Sequence, residues 1–356
     1  MEPKQCEPYD STGCILAKRI WSTVPVALLI TGTFGNILNV VILSRRKLRG
    51  STTTVYLLCL SVSDCTFLWL GMGPRAFLQG YGKDVKLLSQ FACKIISFAP
   101  VTAATFSTWS LVLLTVERVL LTKWPMKARS RMTLKKARIA AAVTLLLIVS
   151  LTSHFFIVPE LRYIDVKNEN GTVTDNKLMC TYAPYASMLF YKKIWQVIIL
   201  FVLTIFPTTL VILGNVTIIF TILAQRRKLM KVIPIGQTKD EGPKKVKSAT
   251  KMLILVSAMF MLTTMPFSVG NVVMSVFLDL DEPSKQLGYA ICRNIFYCNF
   301  TFNFVLYFLN GTLFKSEWKA IMRDVNQFIQ KKRAKPSVQN EEKTTEVGST
   351  SDQSKY

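Results

Sequence analysis

Charged side chains are scarce in this chain. Asp, Glu, Lys and Arg together make up 18% of its 356 residues, whereas half of the residues are hydrophobic. A soluble protein of this length cannot cover so much apolar surface with so few charges, so a soluble globular fold is excluded. Histidine is nearly absent as well. His154 is the only one, so no second imidazole can join it in a metal site, and its place in an apolar run suits helix packing or headgroup contact. Nucleophile–base arrangements, metal-ligand spacings and phosphate-binding loops are lacking, which leaves enzymatic chemistry without support. No repeat of roughly 20–50 residues is evident. Met1 to Asp10 lacks the basic n-region and apolar run of a cleavable signal, so the first apolar segment is expected to act as its own insertion signal.

What the chain does have is long apolar runs. A helix needs roughly 20 mostly apolar residues to cross a bilayer. Seven windows qualify, at about 24–44, 54–78, 93–116, 137–158, 194–224, 252–278 and 288–309. Lipid offers backbone groups no partner, so each window is expected to form a helix that satisfies its own hydrogen bonds. The third, sixth and seventh contain polar residues, as expected of helices with one face on a bundle interior.

The net charge of +23 first suggests a nucleic-acid binder, but its distribution rules this out. With the N-terminus outside, the cytoplasmic segments 45–53, 117–138, 225–251 and 310–356 hold 30 Lys and Arg against nine acids. The opposite segments hold 12 basic and 11 acidic residues. Positive loops stay in the cytoplasm, so the asymmetry places the N-terminus outside and the C-terminus inside, in the plasma membrane. The charges flank membrane spans, and no nucleic-acid motif accompanies them.

Individual polar residues in these windows are unusual. Span one contains Gly35-Asn36-Ile37-Leu38-Asn39, and span two Leu60-Ser61-Val62-Ser63-Asp64, a carboxylate at mid-membrane. Such a group is expensive and is seldom kept without a partner or a role. Span three begins at Cys93 and ends Glu117-Arg118-Val119; span five has Phe206-Pro207; span six has Phe260 and, six residues on, Pro266. Span seven has Asn299 and then Asn303-Phe304-Val305-Leu306-Tyr307.

Taken in this order, these residues make the chain resemble a class A (rhodopsin-like) G-protein-coupled receptor over residues ~20–330. The resemblance implies an all-α fold, a seven-transmembrane helix bundle with a short amphipathic eighth helix. Residues 1–23 would be an extracellular segment, 24–313 the bundle, 314–330 the eighth helix and 331–356 a disordered cytoplasmic tail. It also implies a disulfide from Cys93 to Cys180 in the second outer loop, whose stretches around Cys180 suit a hairpin lid. Cys6 and Cys14 are left either to pair with each other or for one of them to reach Cys292. In the eighth helix Phe314, Trp318, Ile321, Met322, Val325 and Phe328 share one stripe, and Lys315, Lys319 and Arg323 face the other way, towards an anionic inner leaflet.

The departures from the family pattern are informative. Span four has no Trp, Thr264 stands where a span-six Trp is usual, Phe304 replaces a Pro, and Val119 replaces a Tyr. The Pro-free ending, the Trp-less sixth span and Ser97-Phe98-Ala99-Pro100 are similar to invertebrate FMRFamide-receptor-like neuropeptide receptors. An amine receptor would carry an Asp at the position of Pro100, and an opsin a Lys at the position of Tyr297; neither is present. The expected input is therefore an extracellular peptide. Candidate ligand contacts are Arg75, Gln79, Pro100, Ala104, Arg293 and Tyr297, with Lys94 at the rim. Asp279, Asp281 and Glu282 on the third outer loop would attract a basic, amidated peptide. Arg75 has two readings, snorkelling towards headgroups or donating to a ligand carboxylate or carbonyl. Asn170-Gly171-Thr172 is the one sequon on the expected outer side.

The resemblance also implies a switch. Asp64, Ser107, Asn299 and Asn303 match a sodium pocket, so an allosteric Na⁺ is possible chemistry there; the alternative is a protonated, hydrogen-bonded Asp64. No other cofactor or metal is expected. At the cytoplasmic mouth Glu117 would hold Arg118 in an ion pair. Phe260, Pro266 and Tyr307 would belong to the moving inner ends of spans six and seven, and Met126 would dock on a heterotrimeric G protein. The third inner loop, with Arg226, Arg227, Lys228, Lys231, Lys244, Lys245 and Lys247, would anchor to anionic membrane lipid. Thr344, Thr345, Ser349, Thr350, Ser351 and Ser354 would offer a receptor kinase its sites and then arrestin a phosphorylated tail. The alternatives kept open are a receptor-like protein with a lipid ligand or weak coupling, and a transporter or channel. The last of these predicts charges in several spans, and only Asp64 fits.

Overall fold

The computed structural model describes residues 12–167, 173–182, 197–198, 200–232, 241–272, 282–310 and 312–334. Among them, seven long helices pack side by side. They are α1 (Thr12–Leu43), α2 (Thr52–Tyr81), α3 (Gln90–Lys123), α4 (Leu134–Thr152), α5 (Leu200–Ile205 running into Phe206–Val232), α6 (Glu241–Val272) and α7 (Glu282–Thr301, then Asn303–Asn310). An eighth, α8 (Thr312–Ala334), follows directly. α1 packs on α2 and α7, α2 on α3, α3 on α4 and α5, α5 on α6, and α6 on α7, so the ring closes.

Local chemistry starts and stops these helices. The Ser89 side chain accepts from Ala92 N–H at the start of α3, and Thr133 accepts from Lys136 N–H at the start of α4; each satisfies an otherwise orphaned donor. α2 ends at Gly82, which has a φ of 70° and whose N–H bonds the Leu78 carbonyl. Only a residue without Cβ adopts that left-handed cap without strain.

Two prolines reshape their helices. Pro74 and Pro207 each lack the N–H that would bond four residues back, and each ring crowds that carbonyl. In both helices a π-helical segment sits just before the proline, Leu68–Met72 in α2 and Leu200–Ile205 in α5. The carbonyl of Val202 within the second segment is taken by the indole N–H of Trp109 on α3, at 3.1 Å. Pro266, by contrast, lies inside an unbroken α6. α7 is interrupted only at Phe302, and the helical bonds from Phe302 N–H to Cys298 and from Leu306 N–H to Phe302 persist.

The apolar surface is turned outward. On α1, Ile30, Phe34, Ile37 and Val41 form an exposed stripe while Asn36 and Asn39 are fully buried, the reverse of a soluble helix and as expected against lipid. Four described helices, α1, α2, α3 and the Leu200–Gln225 part of α5, are long and apolar enough to cross a membrane on length and composition alone. α4 carries Lys135, Lys136 and Arg138 in its first turns. The inward face of α7 carries Arg293, Asn294, Asn299 and Asn303, which lowers its hydropathy. In α6 the shorter stretch Ile254–Gly270 is apolar.

Several helices exceed the expected windows. α1 begins at Thr12 rather than near residue 24, α4 reaches back to Leu134 and ends at Thr152, and α8 runs from Thr312 to Ala334. Lys18 and Arg19 hide the start of α1 from a hydropathy reading. Ala17 and Trp21 nevertheless bury against Ala290 and Tyr297 of α7, and this packing supports the extra turns. α1 also packs closely on α2 and α7 in the bundle's middle. A Cβ on Gly32 would lie 2.7 Å from Leu68 Cδ1 and 3.0 Å from Thr301 Oγ1, and one on Gly35 would lie 2.9 Å from Phe304 Cβ. Small residues there let the backbones approach.

At one end of the bundle lies an antiparallel hairpin, β1 (Pro159–Lys167) and β2 (Val173–Tyr182), with Leu161 opposite Cys180. The other end carries the basic segments. α8 lays Phe314 and Trp318 on the core cluster of Tyr307 and Phe260, whereas Met322 and Val325 stay exposed; the Phe328 side chain lies outside the described residues.

Candidate functional site

At the hairpin end, β2 is bonded to α3 through a Cys93–Cys180 disulfide with Cα atoms 5.7 Å apart. Gln90, one turn earlier on α3, holds the other strand: its amide donates to the Pro159 carbonyl (3.3 Å) and accepts from Leu161 N–H (2.7 Å). The hairpin is thus fixed at two adjacent points on α3. Cys14 is also disulfide-bonded, whereas Cys292 is a free thiol, which removes Cys292 from the two pairings left open above. Cys6, Asn170, Asp279, Asp281 and the Glu282 side chain lie outside the described residues.

The expected ligand contacts separate into two groups. Ala104 and Tyr297 are buried in one cluster with Trp21, Phe67, Phe296 and Phe300. Phe67 stacks on Phe300 at 4.0 Å, and Tyr297 meets Trp21 edge-on at 6.3 Å. Pro100 packs across α3–α2, where a Cβ on Gly71 would come within 3.0 Å of Pro100 Cβ. Ala104, Pro100 and the ring of Tyr297 thus take part in interhelix packing. Gln79 is half-buried near the end of α2.

Arg75 and Arg293 form the other group. Arg293 places its guanidinium 4.8 Å from the centroid of Phe267, a ring that stacks on Phe296 at 4.6 Å. It lies within electrostatic range of the hydroxyls of Tyr289 and Tyr297, and of Arg75, a like charge. Nε of Arg75 and Oδ1 of Asn294 are buried without hydrogen-bond partners, whereas the Tyr297 hydroxyl lies against the Arg293 guanidinium. Among the described residues, no carboxylate pairs with either arginine.

At mid-bundle, Asp64 is fully buried. Ser107 Oγ donates to one carboxylate oxygen at 2.5 Å, and Asn303 Nδ2 to the other at 2.6 Å. Asn299 is buried nearby in sequence but makes no hydrogen bond to Asp64, so three of the four expected residues meet. Asn36 joins the same layer, donating to the Phe300 carbonyl of α7 at 2.8 Å. The carboxylate and the Ser107 hydroxyl are oxygen donors of the kind a Na⁺ takes, and Asp64, Ser107 and Asn303 are the residues that would hold one.

The basic end departs from expectation. No direct ion pair joins Glu117 and Arg118, because neighbours on a helix do not face each other. Glu117, 1% exposed, turns to α2 instead, where its Oε1 accepts from the hydroxyls of Thr52 and Thr53. Arg118 Nη2 donates to the same Thr53 hydroxyl at 2.8 Å. A hydroxyl donates one hydrogen bond while accepting another, so Thr53 bridges the two charges. The sequence reading missed both threonines, since nothing in one strand of letters sets Thr53 apart from Thr54. Phe260 and Tyr307 are each 1% exposed and share a core cluster with Phe314. Met126 is 82% exposed on the short helix Pro125–Arg131, an apolar tip on an otherwise basic surface. Elsewhere at this end, Arg45 of the α1–α2 connection pairs with Glu317 (3.0 Å) and Asp324 (3.2 Å) of α8, and Lys47 also reaches Glu317 (3.2 Å).

Comparison with known proteins agrees with this architecture. Residues 35–307 match the family model described as 7 transmembrane receptor (rhodopsin family). The growth hormone secretagogue receptor type 1 of Sus scrofa is 25% identical over 293 residues, covering 81% of this chain and 73% of the relative. The QRFP-like peptide receptor of Branchiostoma floridae is 22% identical over 313 residues, 86% of this chain and 78% of the relative. The cysteinyl leukotriene receptor 1 of Sus scrofa is 24% identical over 308 residues, 83% and 82% respectively. With a closed helical ring, a hairpin bonded to α3 and a family match spanning α1 to α7, this chain belongs to the rhodopsin family of seven-transmembrane receptors, multi-pass membrane proteins that signal rather than catalyse.

Proposed function

We propose that the protein is activated by an extracellular peptide and promotes nucleotide exchange on a heterotrimeric G protein. In this reading the hairpin end lies outside and the basic end in the cytoplasm, as the charge asymmetry of the sequence requires. The observation that carries it is the hairpin, pinned to α3 by Cys93–Cys180 and Gln90 on the same helix whose far end holds Glu117 and Arg118. One rigid helix thereby links a ligand-facing lid to the cytoplasmic lock, and a ligand that favours one packing of the bundle biases the other end. Two relatives are named as receptors for growth hormone secretagogue and for a QRFP-like peptide, which supports a peptide input. The leukotriene receptor among the relatives favours a second reading, a lipid ligand.

Release of Arg118 from Thr53 would open the cavity that a G-protein helix enters, and exposed Met126 would dock beside it. Na⁺ held at Asp64 would favour the inactive packing. The tail, outside the described residues, would serve kinase and arrestin, and the basic segments and the exposed face of α8 would rest on anionic lipid. The test is to express the full chain in cells with calcium and cAMP readouts and apply libraries of neuropeptides and of lipid mediators. A peptide response supports the proposal; a response confined to lipids replaces it with the second reading.

A further inference from the structure

At the hairpin end, Arg75 and Arg293 are half-buried and join no ion pair among the described residues. Arg75 and Arg293 come from different helices, α2 and α7, and bring like charges into one site. Bringing two such cations together away from water is unfavourable unless something opposes the charge. No described carboxylate does so. The positions are nonetheless built. The π-helical segment Leu68–Met72 and Pro74 set the direction of the α2 turn that carries Arg75. The ring of Phe267, braced by Phe296, supports the Arg293 guanidinium at 4.8 Å. Arginine on an aromatic face keeps the N–H groups along its edge free for a planar acceptor. Beside the pair, Arg75 Nε is a buried donor without a partner, and the Tyr297 hydroxyl lies against the Arg293 guanidinium.

We propose that Arg75 and Arg293, with the Tyr297 hydroxyl, form an anion subsite that takes a carboxylate of the activating ligand. A carboxylate offers two oxygens in a plane, which two guanidinium forks and a hydroxyl can share. This rests on the receptor reading above and sharpens it. The agonist then carries a free C-terminal or side-chain carboxylate, in place of the basic amidated end that the acidic third outer loop suggested. A carboxylate-bearing lipid presents the same chemistry.

The experiment uses the full-length receptor in cells and probes in matched pairs. These are short peptides of identical sequence with a free-acid or an amidated C-terminus, and long-chain fatty acids with their primary amides. The expected result is activation by acid forms, with the matched amides weaker by about 30-fold or more, the loss of one buried charge partner. Arg75→Gln and Arg293→Gln, checked for surface level, should abolish that preference, and Arg293→Lys should restore part of it. Acid and amide of equal potency, or a preference that survives both glutamine variants, overturns the subsite. An Arg-dependent preference seen only among fatty acids keeps the subsite and overturns the peptide reading. An independent measurement is the melting temperature of the unliganded, detergent-solubilised receptor. Arg293→Gln should raise it by relieving the like-charge contact, and a lower value overturns the argument that the pair is unopposed.

Discussion

The two ends of this bundle handle charge in opposite ways. At the basic end the described charges meet opposing or bridging groups: Glu117 and Arg118 share the Thr53 hydroxyl, with only Glu117 Oε2 and Arg118 Nε left unpartnered, and Glu317 gathers Arg45 and Lys47. At the hairpin end Arg75 and Arg293 bring like charges together with no described acid between them. The hairpin, however, is held covalently, whereas the basic end is joined around Thr53 by a few hydrogen bonds that can exchange. A receptor needs this asymmetry. Its input face must be rigid and chemically unsatisfied until a ligand arrives, and its output face must be satisfied yet easily opened.

The largest expected effect breaks the rigid side. Cys180→Ser removes the bond between hairpin and α3, at a cost of about 2–5 kcal/mol typical of an extracellular disulfide. Thermal melting should drop accordingly, and agonist affinity should fall with it. Unchanged melting would mean that Gln90 alone secures the hairpin, and the contrast between covalent and exchangeable ends would disappear. Next comes Arg118→Ala. Agonist-stimulated nucleotide exchange should fall on the order of 100-fold, the upper part of a typical allosteric coupling free energy. Agonist binding itself should change little, which radioligand competition can measure. An intact exchange response would show that Arg118 is not the inner switch.

A smaller change separates Thr53 from its neighbours. Thr53→Val keeps the shape but deletes the bridging hydroxyl, so the net hydrogen-bond contribution lost is about 1 kcal/mol. On the proposed mechanism the bridge holds the closed packing, so agonist-free signalling should rise about fivefold. Thr54→Val is the control, since the Thr54 hydroxyl bonds the Leu48 carbonyl instead. Equal basal activity in the two variants would return the lock to a direct Glu117–Arg118 contact made elsewhere in the conformational cycle.

This ordering also shows how far the letters carried. Seven spans were readable from the apolar runs, whereas the Cys93–Cys180 bond and the meeting of Asp64 with Ser107 and Asn303 were readable through the resemblance to the receptor family. A mid-membrane carboxylate must find donors, and an outer cysteine finds a partner. What escaped was whatever depends on direction around a helix. Glu117 and Arg118 read as a pair because they are adjacent, yet adjacency on a helix turns them apart. Thr53 resembles its neighbours until α3 is laid beside α2. Ala104, Pro100 and Tyr297 were placed by analogy of position, and the structure adds that Ala104, Pro100 and the Tyr297 ring also pack between helices, against residues such as Gly71, Phe67 and Trp21. Pro74 and Pro207 were visible, but that each follows a π-helical segment follows from how their helices absorb a missing donor. The start of α1 was obscured by Lys18 and Arg19, whose charges interrupt the hydropathy of a helix that packing extends to Thr12.

The smallest expected effect tests whether the inner end is as lightly held as the comparison claims. Glu317 is nearly buried, but its partners are not: the Arg45 side chain is 36% exposed and that of Lys47 78%. Solvent therefore screens both attractions, and Asp324 still compensates Arg45 when Glu317 is neutralised. Glu317→Gln should lower stability by about 1 kcal/mol or less, as exposed ion pairs do. The difference from the unmodified protein should shrink further in about 1 M salt, where the screening length falls to a few ångströms. Melting curves at low and high salt measure both. A loss well above that size, unchanged by salt, would show that α8 is locked to the α1–α2 connection by a desolvated pair. The inner end would then be as rigid as the outer one, and Arg118 would have to be released without any give in the helices around it.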